Sequence, residues 1–152
     1  MAVSTIDGTL EAVTVKRKAS KVWRLSGLVF RKGDGSTTEL ASAVATPQVG
    51  AALLPGTTGR FYLYSAIDHK GIHGVRPAGG TLVAGFMRTN ETLMIALFFF
   101  NLAWVGLTIG LRDGIPLLGA GLMIFSGVFY FVYRATRLQA EAQVAADNPA
   151  AA

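Results

Sequence analysis

The chain has 152 residues, enough for one small domain and a helical pair but too few for two soluble domains with independent cores. It contains no cysteine, which excludes disulfides, thiolate metal sites and cysteine nucleophiles. Its net charge is +5, and the excess lies early: eleven Lys/Arg precede Glu91 against five acids, Asp7, Glu11, Asp34, Glu39 and Asp68.

Met1–Gly8 is short and polar, without the basic and apolar regions of a secretory leader, so the head is expected to stay on the side where it is translated. From Thr9 to Phe86 the signals are those of short strands cut by glycine and proline. Thr9–Lys16 carries the β-rich Val13-Thr14-Val15, and Val22–Arg31 is a second run with Gly27 as a bulge or close-packing point. Arg31-Lys32-Gly33-Asp34-Gly35-Ser36 is a turn signal. Leu40–Ala45 fits either a strand or one helical turn before Pro47, and the strand reading is preferred. Arg60–Asp68 alternates, with Phe61, Leu63, Ser65 and Ile67 on one face and Arg60, Tyr62, Tyr64, Ala66 and Asp68 on the other. Asp68–Gly71 reads as a hairpin turn returning through Ile72–Arg76, and Pro77–Gly80 reverses into Thr81–Phe86. Short strands at this spacing predict a small all-β barrel-like domain over residues 1–89, SH3-like or OB-like. The OB reading needs a helix between the third and fourth strands, which the sequence barely offers.

Two apolar runs follow. Thr92–Leu111 is uncharged and twenty residues long; at about 1.5 Å per residue it reaches across a hydrocarbon core of about 30 Å. Ile115–Tyr133 is equally uncharged, and only Arg112-Asp113-Gly114 separates the two. The pattern predicts a transmembrane helical hairpin over 90–138 with spans at 92–111 and 115–133, so the expected class is an α+β membrane protein. Asn90 is placed to cap the first helix with Glu91 in its first turn. The loop holds one base and one acid, whereas Arg134 and Arg137 follow the second span. By the positive-inside rule both termini are cytoplasmic, on a bacterial inner membrane, with Tyr130, Tyr133, Arg134 and Arg137 as interface anchors. Alanine-rich sequence favours a helical extension through Arg137 and Glu141; residues 139–152 are assigned to a flexible tail, frayed from Asp147 and Asn148-Pro149 onward.

Candidate functional residues fall into three groups. Gly106 and Gly110 form a GxxxG step, and Gly119, Gly121, Ser126 and Gly127 supply small positions on the second span; small residues let helices approach in lipid. The favoured role is packing within one hairpin, with a homo-oligomer as the alternative. Asn101, the one strongly polar side chain deep in the first span, is expected to bond to Ser126, to a backbone carbonyl or to another subunit. Neither span contains Asp, Glu, Lys, Arg or His, which argues against a proton relay, an ion pathway or a transporter core. The second group is a basic patch, Lys16, Arg17, Lys18, Lys21 and Arg24 with Trp23 inside it. It reads as a solvated basic face that obeys the positive-inside rule, as a grip on anionic membrane lipid or, behind lipid, as a nucleic-acid surface alongside exposed Tyr62 and Tyr64. The third is Asp68, His69 and His73, whose placement around a turn is a poor metal-ligand pattern. No nucleophile elbow, P-loop, GxGxxG or paired carboxylates occur, so no enzyme activity, cofactor, metal or small-molecule substrate is expected. The leading expectation is a non-enzymatic inner-membrane accessory or scaffold protein whose cytoplasmic β-domain binds a protein partner or larger membrane complex. The alternatives are a self-assembling, holin- or toxin-like hairpin and a membrane-tethered nucleic-acid binder.

Overall fold

The computed structural model describes residues 2–66, 69–112, 114 and 116–147. Ile67, Asp68, Asp113, Ile115 and Asn148-Pro149 lie outside the described residues. With them go the end of the Arg60–Asp68 alternation, the Asp68 corner, the acid of the loop, the first residue of the second span and the tail beyond Asp147; Asp147 itself, expected to fray, pairs with Arg60. The chain forms two units, residues 1–87 with 136–152 and residues 88–135.

The first unit contains β1 (Ala2–Lys18), β2 (Trp23–Lys32), β3 (Thr37–Ala45), α1 (Pro47–Ala52), β4 (Thr58–Ser65), β5 (Lys70–Pro77) and β6 (Val83–Ala84). They form a six-stranded sheet ordered β3-β2-β1-β4-β5-β6, antiparallel at every step. β3 also pairs in parallel with β5 through Val44↔Gly71 and Ala45↔Ile72, so the run of pairings from β3 to β5 returns to the strand where it began. β1 makes this possible by serving two partners. Ala2–Thr9 lies against β4, and Gly8–Lys18 lies against β2. At the overlap stands Gly8, where any Cβ would meet the Arg31 carbonyl.

The core follows from strand alternation interrupted at defined places. Ile6, Leu10, Phe61, Leu63, Ile72 and Val75 are buried from β1, β4 and β5, and Phe30 meets Phe61 edge to face at 5.0 Å. On β2 the inward positions pass from Leu25 to Leu28 and Phe30, a change of parity across Gly27, whose φ of 57° suits glycine and few other residues. The expected bulge is therefore present. α1 starts with Pro47 in its first turn, where proline's missing N–H costs nothing, and its Val49, with Leu53 just beyond, closes the core. The ambiguous stretch thus resolves into a strand to Ala45 and a short helix after it. Two strand boundaries differ from expectation. β1 reaches back to Ala2 because Ala2–Thr9, which includes the β-branched Val3, Thr5 and Ile6, pairs with β4, and Thr81–Phe86 contributes only Val83–Ala84.

The second unit is built from α2 (Thr89–Arg112) and most of α3 (Leu117–Ala146). Both helices are long and apolar enough to cross a membrane. Glu91 lies in the first turn of α2. The division expected at residue 139 falls inside α3, whose residues from Thr136 onward belong to the first unit.

Candidate membrane and docking surfaces

In the second unit, the apolar window of each helix is only 11% buried, whereas a core helix of a soluble domain would be mostly covered. Phe99, Phe100, Trp104, Leu107, Ile124 and Phe131 all face outward. The polar side chains of these helices are satisfied locally. Asn101 Nδ2 donates to the Leu97 carbonyl at 2.7 Å, Thr108 Oγ1 to Trp104 at 2.9 Å and Ser126 Oγ to Leu122 at 2.8 Å. Each bond returns to the same helix one turn earlier, the common back-bond of short polar side chains in helices. Asn101 and Ser126, both buried, therefore bond to their own helices and not to each other.

Only some of the expected packing glycines pack. A Cβ at Gly119 would lie 3.1 Å from both Trp104 and Val105 side chains, and one at Gly127 would lie 3.4 Å from Phe98. The α2–α3 contact thus seats large side chains of α2 over glycines of α3. Gly106, Gly110 and Gly121 meet nothing within 4 Å, so the GxxxG step does not hold this hairpin together. Near the end of the second run, Arg134 Nη1 donates to the Tyr130 hydroxyl at 2.9 Å, and Tyr133 packs on Phe129 with centroids 6.2 Å apart. Arg137, one turn on, pairs with Glu141 at 2.5 Å.

The basic patch occupies the β1–β2 hairpin. Arg17 stands opposite Arg24 and Lys18 opposite Trp23, with Ala19 N donating to the Val22 carbonyl at 3.2 Å across the turn. Lys16, Arg17, Lys18, Lys21 and Arg24 are all exposed. Trp23 is half-buried: its ring covers Gly50 of α1, and Lys18 Nζ lies 4.5 Å from the ring centroid.

Sequence reasoning missed a third surface, which the fold has already covered. On the outer side of β4 and β5, the Tyr64 ring lies over Gly71 and the Tyr62 ring over Gly74. The register passes from Tyr62↔Gly74 to Leu63↔Ile72, leaving His73 as the extra residue of a bulge. A bulge re-aims its side chain, and His73 stacks on Phe86 with centroids 5.7 Å apart. The C-terminal part of α3 closes over this face. Ala140, Gln143, Val144 and Asp147 recur at helical spacing, Ala140 and Val144 are buried, and Asp147 Oδ2 accepts from Arg60 Nη1 at 2.9 Å. Arg60 also donates from Nε to Asp7 at 2.7 Å, so one guanidinium ties β1, β4 and the helix end together and holds the Asp147 carboxyl below its ordinary value.

Under this cover Tyr62 is fully buried and His73 is 2% exposed. The Tyr62 hydroxyl, both His73 ring nitrogens and Gln143 Oε1 lack a well-formed hydrogen bond. Burial lowers the His73 pKa to about 4, with the Gln143 side chain pulling the other way. Burial likewise raises the Tyr62 pKa, helped by the neighbouring Asp147 carboxylate. Tyr62 is therefore not the exposed stacking platform that a nucleic-acid surface would need, and Trp23 is already committed to α1. His69 instead meets the Tyr64 hydroxyl at 3.1 Å. Among the described residues no three His, Cys, Asp or Glu side chains come together as a metal site.

Compared with known proteins, the chain matches no family model, no curated protein and no solved structure.

Proposed function

We propose that this is a non-enzymatic accessory or scaffold protein of a bacterial inner membrane, anchored by α2 and α3, with a cytoplasmic β-unit that binds or positions a protein partner. The outward apolar faces of two helices, whose polar side chains bond within their own helix, carry the anchor. Arg134 and Arg137 after the second run, together with the basic β-unit, support cytoplasmic termini. The returning β3–β5 pairing, a first strand shared by β2 and β4, and a helix between β3 and β4 support a small barrel, OB-like in preference to SH3-like. The binding role is tested by affinity purification of the full chain in mild detergent after cross-linking. A partner at fixed stoichiometry is expected, and recovery of the chain alone at monomer mass under several extraction conditions contradicts the role.

One observation favours a second reading. Gly106 and Gly110 face outward with nothing over them, as a self-assembling hairpin requires. In that case Gly106→Ile with Gly110→Ile reduces oligomer size on native gels; unchanged size removes it.

A further inference from the structure

We propose that the β1–β2 hairpin docks on the phosphate groups of an anionic phospholipid surface. Between Ala12 and Gly33 the sequence holds seven cations, Lys16, Arg17, Lys18, Lys21, Arg24, Arg31 and Lys32, and no acid. Arg31 is neutralised by Glu11 at 2.6 Å. Around the turn, Lys16, Arg17, Lys18, Lys21 and Arg24 have no carboxylate within ion-pair reach among the described residues, and all are exposed.

The register makes this concentration costly in isolation. Arg17 and Arg24 are direct cross-strand partners, which places two guanidinium groups side by side on one face of the hairpin. Like charges in that relation destabilise a strand pair unless an anion lies between them, and a guanidinium fork matches phosphate geometry. The neighbouring indole is not free to insert among acyl chains or stack on a base, since Trp23 covers Gly50 and holds Lys18 over its ring. Beyond Leu10, β1 pairs only with β2, so this part of the strand is a sheet edge with lysines along it. The surface is therefore electrostatic, suited to an array of phosphates read by charge alone. In a chain whose helices carry it to a bilayer, a lipid headgroup layer supplies that array at high local density. The inference rests on the membrane-anchored reading.

The test reconstitutes the full chain into nanodiscs of phosphatidylcholine alone or of phosphatidylcholine with phosphatidylglycerol. Lysine acetylation by a water-soluble reagent is then read by mass spectrometry. In anionic discs Lys16, Lys18 and Lys21 are expected to label about fivefold more slowly, the factor that about 1 kcal/mol per cation gives, with Lys70 unchanged and the difference lost at high salt. The double variant R17E/K21E is expected to enter discs normally and to lose the lipid dependence. Equal labelling in both lipids, or uniform slowing that includes Lys70, overturns the proposal. So does protection in phosphatidylcholine discs by an added oligonucleotide with none from phosphatidylglycerol, which assigns the patch to nucleic acid. Failure of the chain to enter discs at all is a distinct result that removes the membrane anchor, and the docking with it.

Discussion

His73 is an imidazole only 2% exposed, in surroundings that disfavour its charged form. The bulge on β5 turns it outward from the sheet, and the α3 end then covers it, so the imidazole is held neutral with a pKa of about 4 against an ordinary 6.5. An unfolded chain takes up that proton near pH 6.5, whereas the folded one resists until about 4. The contribution is complete above pH 6.5 and is lost as pH falls through this window, by up to roughly 3 kcal/mol. Thermal unfolding in detergent should show a midpoint that drops between pH 6.5 and 4. The His73→Leu variant should flatten that part of the profile; the same slope in the variant assigns it to other groups. Asp147 acts separately, since its depressed pKa sustains the Arg60 pairing until the pH falls below its ordinary 3.8.

At the scale of elements, the two glycine sets of the hairpin make opposite predictions. Gly119 lies under Trp104 and Val105, so Gly119→Ile must displace them and should weaken the α2–α3 contact by about 1–3 kcal/mol, read as a lower unfolding midpoint. Gly106→Ile has open space around it and should leave that midpoint unchanged. A loss of stability at Gly106 equal to that at Gly119 would mean the helices pack through another face. The elements also differ in how openly the sequence announces them. Thr92–Leu111 is legible because twenty uncharged residues have few other fates, and Arg60–Ser65 because its alternation is clean. The end of α3 is not, because its covering stripe, buried Ala140 and Val144 with half-buried Gln143 and Asp147 just beyond the helix, is barely apolar and resembles a solvated helix. One trace existed: Tyr62 and Tyr64 gave β4 a second apolar face, which asks for a cover. Ala2–Thr9 was equally hidden: Val3, Thr5 and Ile6 favour a strand, but Asp7 and Gly8 interrupt the run, and pairing with β4 carries the strand through them.

For the whole molecule, the candidate site was only partly readable. The basic residues are adjacent in sequence, so their hairpin could be found, whereas the burial of Tyr62 and the commitment of Trp23 to Gly50 depend on contacts distant along the chain. Orientation can be tested without background because the chain has no cysteine. In cells expressing single-cysteine variants, Gly114→Cys should react with a membrane-impermeant maleimide and Ser20→Cys should react only after lysis; the reverse pattern inverts the proposed topology. Everything assigned to the anchor depends on α2 and α3 being embedded in lipid. The direct measurement is ultracentrifugation of detergent-free, alkaline-carbonate-washed membranes from cells expressing the full chain. The protein is expected to remain in the pellet and to leave it only with detergent, while folded, monodisperse protein in the supernatant would contradict the account.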